Sequence, residues 1–376
     1  MRRLLSLFFA SLPLAVVLGW LVGRLLSDRF PWSQWLSWMP TPAVVGGTLF
    51  SLALSWFFST WSAWSRRLAK FKPSTLLLRS GRLRRVAALA TIPLVLFTLI
   101  IEWRLPIGLF PHTAPPKARP FSVLYWNHAG NWRNDWMQTT STHLADVSIL
   151  AAPRYPQYMD QLMEKLAADH PGTRHYQRLA FYSIISKWPI LRWSSTPLNL
   201  PTLQTKLDPY ASTLERGWYW NRGEACWIEL DSTADLGRNL IIWIMDMPSD
   251  PRLHRAQLTA VAAQTLRDAT PAIFSRGPVG QFIPAPTTTP GFPTPDLIVG
   301  DLNIPRGAFS LAALVGQARP VYETAGVGPE GSYHRLLPVL GIDQMFMNAP
   351  IDATRYDLFD PGFGTHLAQR AEFFIP

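Results

Sequence analysis

The sequence predicts three membrane-spanning helices followed by a mixed α/β domain. Three apolar stretches precede residue 105, a proline-rich segment follows them, and from Phe121 onward short apolar runs alternate with helical stretches. The 376 residues are enough for two or three units at about 150 residues per domain.

The apolar stretches run from about Leu4 to Val22, Pro42 to Trp64 and Val86 to Trp103. Each is close to the roughly 20 residues that a helix needs to cross a bilayer. Trp20, Trp38, Trp61, Trp64 and Trp103 lie toward the segment ends, where interfacial aromatic residues concentrate. The first stretch has the length of a signal peptide. No small-x-small cleavage site follows it and two further spans do, so an uncleaved helix is expected.

Charge is unevenly divided. Residues 1–104 hold 13 Lys/Arg and 2 Asp/Glu, a balance of +11; residues 105–376 hold 22 and 23, a balance of −1; together these give the +10 of the whole chain. The basic character belongs to the membrane part, and a nucleic-acid partner is disfavoured, because backbone binding needs a basic surface on the domain itself. Between the second and third stretches lie Arg66, Arg67, Lys70, Lys72, Arg79, Arg82, Arg84 and Arg85 without an acid. Such a loop stays cytoplasmic. With Arg2 and Arg3 on the same side, the expectation is a multi-pass protein of the cytoplasmic (inner) membrane, its C-terminal domain outside the cytoplasm and the lipid bilayer its first partner. The spans carry almost no mid-depth charge, with Glu102 near a helix end, so they read as an anchor rather than a transport pathway.

Residues 105–120 contain Pro106, Pro111, Pro115, Pro116 and Pro120 and are expected to form a semi-rigid linker. Strands are expected at Phe121–Trp126, Val147–Leu150, Ala180–Ser186, Ala225–Leu230, Leu240–Met245, Leu297–Val299, Gln344–Met347 and Ala371–Ile375. Helices are expected at Trp132–Leu144, Tyr155–His170, Leu253–Ala269 and Phe309–Gln317. Glu229 to Leu240 reads as strand, turn, strand, hence an antiparallel pair. The single cysteine, Cys226, sits in an apolar run and reads as a buried structural thiol; neither an internal disulfide nor a Cys-rich metal site is available.

The segment Pro295-Asp296-Leu297-Ile298-Val299-Gly300-Asp301-Leu302-Asn303 carries the chemistry. An apolar run ends abruptly in Gly-Asp-Leu-Asn, which places Asp301 and Asn303 two residues apart at a strand end. Side chains two apart on a strand share a face. A carboxylate and a carboxamide so placed can orient a water and hold a polar transition state, although Asp and Asn also serve in caps and turns.

Five motifs resemble the endonuclease/exonuclease/phosphatase superfamily, the deoxyribonuclease-like fold. Phe121-Ser122-Val123-Leu124-Tyr125-Trp126-Asn127 is similar to its opening strand. Phe181 to Pro189 is similar to the strand closing in Ser-Arg-x-Pro. Gly300-Asp301-Leu302-Asn303 is similar to its Gly-Asp-Phe/Leu-Asn, Gly341-Ile342-Asp343-Gln344-Met345 to its Arg-Ile-Asp-Tyr-Ile, and Gly364-Thr365-His366 to its Ser-Asp-His. The five occur in family order over nearly all of 121–376. The resemblance implies a four-layer α/β/β/α sandwich with mixed sheets. It makes Asp301, Asn303 and His366 catalytic: His366 as base or phosphate contact, Asp301 activating or orienting the water. Asn303 and Asn127 would bind phosphate or a metal's water, and Asp343 would brace the site; outside the family pattern, Asp246 could join Asn127 at phosphate or a metal's water and, with Asp301, is a candidate metal ligand.

Three positions depart from the family pattern. Ala152 stands where the family has its metal-binding Glu, and its side chain offers no oxygen. Asp246 replaces the family's His and, while ionised, donates no hydrogen bond. Thr365 replaces the Asp before the final His and orients an imidazole weakly. Compensation could come from Asp246, Asp301 and Asn127 acting as a new oxygen set, or from His128 or His334. Trp218-Tyr219-Trp220 could line a cleft, or pack. Two expectations follow: a membrane-anchored, catalytically eroded domain that binds a protein partner or an envelope phosphate-bearing ligand, without a cofactor; or a divergent phosphoester hydrolase dependent on Mg²⁺ or Mn²⁺ and using Asp301 and His366.

Overall fold

The three apolar stretches each form a helix long and apolar enough to cross a membrane: Leu4–Leu26, Thr41–Trp61 and Gly81–Glu102, of 23, 21 and 22 residues. At about 1.5 Å per residue each covers a hydrocarbon core of about 30 Å. The computed structural model describes residues 2–69, 75–110, 112–128, 136–151, 156–169, 174–180, 182–201, 222–277, 281–285 and 290–376. Ala152, Trp218-Tyr219-Trp220, part of the stretch Pro284–Pro295, which its prolines and threonines mark as a surface loop, and the start of the helix expected at Trp132–Leu144 lie outside these residues.

The chain divides into two units, Met1–Leu105 and Pro106–Pro376. In the first, polar contacts pin the helices at both ends. At one end Arg24 pairs with Glu102. Thr41 Oγ1 donates to Glu102 Oε1 at 2.5 Å and accepts from Trp20 Nε1 at 3.0 Å and Arg24 Nη2 at 2.8 Å. The charge at Glu102, read from sequence as an isolated helix-end acid, is thus neutralised within the bundle. At the other end the hydroxyls of Ser6 and Ser55 donate to each other's carbonyls. The third helix closes in a π-helical turn, Thr98–Glu102.

In the second unit, the described residues form fourteen strands in two sheets. The first sheet is built from β1 (Arg119–Asn127), β2 (Val147–Ala151), β3 (His175–Leu179), β4 (Tyr182–Ser186), β13 (Asp352–Phe359) and β14 (Ala368–Ile375). The second is built from β5 (Ile190–Pro197), β6 (Glu224–Leu230), β7 (Leu240–Asp246), β8 (Ile273–Arg276), β9 (Phe282–Ala285), β10 (Leu297–Asp301), β11 (Arg319–Pro320) and β12 (Asp343–Met347). Their orders are β13-β14-β1-β2-β4-β3 and β11-β12-β10-β7-β6-β5-β8-β9. β1–β2 and β7–β10 are parallel. Each parallel pair is joined through a helix, Trp136–His143 in one case and Arg255–Asp268 in the other, which is the connection parallel pairing demands. The expected β6–β7 antiparallel pair runs Glu224↔Asp246 to Leu230↔Leu240.

Period-two alternation sorts the side chains into layers. Val123, Tyr125, Val147 and Ile149 of the first sheet meet Cys226, Ile228, Ile242, Ile244, Val299 and Met345 of the second in one core. On the outer face of the first sheet Leu124, Trp126 and Leu150 pack with Trp136, Leu162 and Leu166 of its helices. On the outer face of the second sheet Ala225, Met245, Ile298 and Phe346 pack with Leu258, Ala262 and Leu266. The result is the expected α/β/β/α sandwich. Each fully buried Leu, Ile, Val, Phe or Met side chain contributes about 1.5–3 kcal/mol, so the double-faced core is the main source of stability. Cys226 is fully buried in the inter-sheet core.

Candidate functional site

The alternation that fills the core with apolar side chains places polar ones where the strands end. In the second sheet Glu224 pairs with Asp246, Asp246 with Asp301, and Asp301 with Asp343. Each stands two residues beyond a core residue (Cys226, Ile244, Val299 and Met345), so all four face the inter-sheet side. They form a row of carboxylates across β6, β7, β10 and β12. From the first sheet, Asn127 at the end of β1 reaches across, and its Nδ2 donates to Asp301 Oδ2 at 3.1 Å.

Gly300 lets this row form. A Cβ on Gly300 would lie 1.9 Å from the backbone oxygen of Met245, so only glycine permits β10 to lie this close to β7. Beyond β10 the chain turns back with Asn303 at φ 50°, a left-handed conformation that Asn tolerates. Asn303 donates its backbone N–H to Asp301 Oδ1 at 3.1 Å and its Nδ2 to Met247 O at 2.8 Å. Its amide is spent on fixing Asp301 and the end of β7.

His366 arrives from the loop before β14. It pairs with Tyr333 in an isolated bridge, and the Tyr333 ring lies 4.9 Å from its imidazole. Its Nδ1 is 2.7 Å from Asp343 Oδ2, and its Nε2 is 4.0 Å from Asp301 Oδ2. The carboxylate that orients His366 therefore comes from Asp343. This corrects the expectation that Thr365 leaves the imidazole without a strong partner: the strand pairing of β10 with β12 delivers an Asp from elsewhere in the chain. Asp343 is held in turn by Ser332 Oγ, which accepts its N–H at 3.1 Å, and by Arg306 Nη2, which donates to its carbonyl at 3.2 Å.

The electrostatics follow from burial and mutual repulsion. Asp301 is pushed up to about 7 by desolvation and then by the Asp343 charge, against the pull of His366 and of the N–H groups of Asn303 and Asn127. Burial alone opposes a charge on His366. The carboxylates of Asp343, Asp301 and Asp246 outweigh it and raise the imidazole to about 9. Asp246, half-buried, is raised well above the usual carboxylate range by desolvation and the Asp301 charge. Burial raises Glu224 to about 8, and its Oε2 has no hydrogen-bond partner among the described residues.

The donor set fits a divalent cation. Asp301, Asp343 and His366 offer ligand atoms that all lie within 4.8 Å of one another. Asp343 Oδ1 and Glu224 Oε2 are buried oxygens without hydrogen-bond partners among the described residues. Three carboxylates, those of Asp343, Asp301 and Asp246, act on one imidazole, and hard oxygen donors suit Mg²⁺ or Mn²⁺.

The structure thus brings together Asn127, Asp246, Asp301, Asn303, Asp343 and His366. It does not bring His128 or His334 to them. His128 is buried against Trp126 and Phe363, with its pKa lowered to about 3 by burial, and His334 is exposed. The sequence reading missed Glu224 and Arg306. The signal for Glu224 was its period-two spacing from Cys226, Ile228 and Leu230. The Arg306 guanidinium is buried over the rings of Tyr322 and Tyr356, an arrangement that only the fold creates.

Several solved structures are similar to the second unit in outline. An endonuclease/exonuclease/phosphatase family protein from Bacteroides thetaiotaomicron shares 12% identity over 69% of this chain and 99% of its own, with a TM-score of 0.44. A mannosyl-6-phosphatase from the same organism shares 12% identity over 67% of this chain and 99% of its own, with a TM-score of 0.44. An endonuclease/exonuclease/phosphatase from Beutenbergia cavernae shares 13% over 68% of this chain and 72% of its own, also with a TM-score of 0.44. Similarity at this level assigns no activity. No protein-family model matches the chain, and no curated relative matches it.

Proposed function

We propose that the second unit is a cation-assisted phosphoester hydrolase, held at the membrane by the first. One observation carries the reading: a buried imidazole clamped between two carboxylates, Asp343 at 2.7 Å on Nδ1 and Asp301 at 4.0 Å on Nε2. The five sequence motifs supply the reaction class.

Asp343 fixes the tautomer and orientation of His366 and keeps the ring charged up to a pH of about 9. Nε2 is then a proton donor aimed at the oxygen that leaves phosphorus. Asp301, with its pKa near 7, accepts the proton of the attacking water. The water oxygen bonds to phosphorus, the ester P–O bond breaks, and the leaving oxygen takes the Nε2 proton; transfer from Asp301 restores the imidazolium. Asn127 holds Asp301 in place, and Asn303 fixes it through the backbone. Asp246 would hold Mg²⁺ or Mn²⁺, with Glu224 alongside and Asp301 left to the water, and the cation would supply neutralisation of the phosphoryl oxygens. The orientation expected from the basic loop places the substrate outside the cytoplasm, among phosphate-bearing envelope molecules. The −1 charge of the domain argues against nucleic acid.

A second reading, an eroded domain that binds a phosphate-bearing ligand or a protein, has one observation in its favour. The last described inward-facing residue of β2, paired with Asn127, is Ala151, so the described part of β2 brings no oxygen to the site. The test is Mg²⁺- or Mn²⁺-dependent hydrolysis by the purified full chain across phosphomonoester, phosphodiester and pyrophosphate substrates. His366→Ala and Asp301→Asn should each lower the rate by about 100-fold or more. A wild-type rate no higher than that of both variants on every substrate refutes the hydrolase and leaves the binding domain.

A further inference from the structure

We propose that the membrane unit holds an anionic phospholipid in a groove between its second and third spanning helices. The groove consists of two cavities that share Leu52 and Ala88. One, about 360 Å³, is lined by Trp56, Gly81, Arg84 and Arg85. The other, about 300 Å³, is lined by Leu49, Ile92, Val95 and Leu96. Together they have a cationic mouth and an apolar floor.

Its form follows from the sequence of the third helix. Gly81, Ala88 and Val95 recur every seven residues, which keeps them on one helical face. The first two are small, and they leave the space that a larger side chain would occupy. Thr91, the polar residue on this wall, donates its hydroxyl to Ala87 O at 2.8 Å and so presents no unsatisfied group to an acyl chain. From Arg85 to Leu96 the groove runs about 16 Å along the helix, at about 1.5 Å per residue. That is the depth of one leaflet of a core of about 30 Å.

Charge complementarity selects the headgroup. Arg84 and Arg85 both line the mouth. Arg84 is directed inward by donating Nη1 to Ser55 O at 3.1 Å. No Asp or Glu occurs between Asp28 and Glu102, so this stretch of sequence brings no counter-charge to the mouth. Trp56 stands beside it, as tryptophan does at headgroup depth. A lipid whose phosphate meets two guanidiniums and whose chain lies along Leu52, Ile92 and Leu96 satisfies both ends at once. A zwitterionic lipid brings the same phosphate with its own cation beside it, which two guanidiniums repel, so it fits the mouth less well.

The test is competition between phosphatidylglycerol and phosphatidylcholine of identical chains for the full-length protein in neutral detergent, read by native mass spectrometry. A basic side chain near anionic lipid contributes about 1 kcal/mol, or about fivefold in affinity. Phosphatidylglycerol should therefore win by at least about fivefold, and Arg85→Gln should remove about fivefold of that preference. Arg82→Gln removes the same charge from a residue that does not line the groove and should leave the preference intact. Ala88→Phe keeps every charge, fills the groove and should lower retention of both lipids; it decides the matter should Arg85→Gln fail to fold. Excess inorganic phosphate should not displace the lipid. Equal binding of the two lipids, an Arg82→Gln effect as large as that of Arg85→Gln, or displacement by phosphate would overturn the proposal.

Discussion

Replacing Asp343 with Asn keeps the shape of the side chain and removes the charge that holds His366. In the wild type, burial disfavours the imidazolium, and the Asp343 carboxylate, 2.7 Å from Nδ1, is the largest opposing influence; the balance rests at about 9 against an ordinary 6.5. With the burial kept and that influence gone, only Asp301 and Asp246 oppose burial, and His366 should titrate well below 9. A full return to the ordinary 6.5 is a drop of about 2.5 units, or about 3 kcal/mol at about 1.4 kcal/mol per unit, and sets the upper bound. The linkage sign is definite. A group whose pKa is raised on folding contributes stability that is fully present below its unfolded value and is lost as pH rises through its folded value. Asp343→Asn should therefore cost up to about 3 kcal/mol below pH 6.5 and much less above pH 9. Denaturation of the full chain in the two ranges, with a chelator present, gives this difference, and NMR of the labelled histidine ring gives the titration. An equal cost at both pH values, or a His366 that still titrates near 9 in the variant, would refute the claim that Asp343 holds the charge.

Glu224→Gln should reverse the usual cost of losing a buried charged residue. Burial raises Glu224 from 4.5 to about 8, so the wild type loses stability as pH rises between those values, whereas Gln does not. The variant should match the wild type near pH 4.5 and exceed it by a few kcal/mol above pH 8, with added Mg²⁺ narrowing the gap by stabilising the wild type more; the check is melting temperature against pH. Gly300→Ala should cost about 3 kcal/mol or more and abolish hydrolysis, because the new Cβ meets Met245 O at 1.9 Å, backbone that cannot move aside without parting β7 from β10; denaturation and rate measurements on one preparation test it. Glu102→Gln should destabilise the helical unit by about 3 kcal/mol through loss of the charge that Arg24 pairs with, measured by thermal unfolding in detergent; a melting temperature unchanged from wild type would show that the ion pair contributes nothing.

The strands legible in the sequence are those buried on both faces. Val147–Leu150, Leu240–Met245 and Leu297–Val299 read as continuous apolar runs and form β2, β7 and β10 within one or two residues of their expected ends. Those not read gather toward the sheet edges. β3 and β13 flank the first sheet, β9 and β11 flank the second, β8 adjoins β9, and β5 lies one strand further in. Edge strands are polar because a row of unpaired backbone groups must be kept from further pairing. Asp352-Ala353-Thr354-Arg355-Tyr356-Asp357 therefore shows no apolar run although it pairs along β14, and Pro284 is tolerated in β9 because that strand has a free side.

By itself the sequence determined the three apolar helices, the class of the domain and the strand ends at which Asn127, Asp301 and His366 stand. Those are local properties: a hydropathic length, a period of two, a glycine before an aspartate. Only the tertiary structure decided which carboxylate serves His366. Asp343 lies 23 residues from His366 in the chain and reaches it because β12 pairs with β10, a non-local choice that no local pattern encodes. Together with the pairings of β6 with β7 and of β7 with β10, the same pairing sets Glu224, Asp246, Asp301 and Asp343 side by side, and burial raises Glu224, Asp246 and Asp301 above the ordinary carboxylate range.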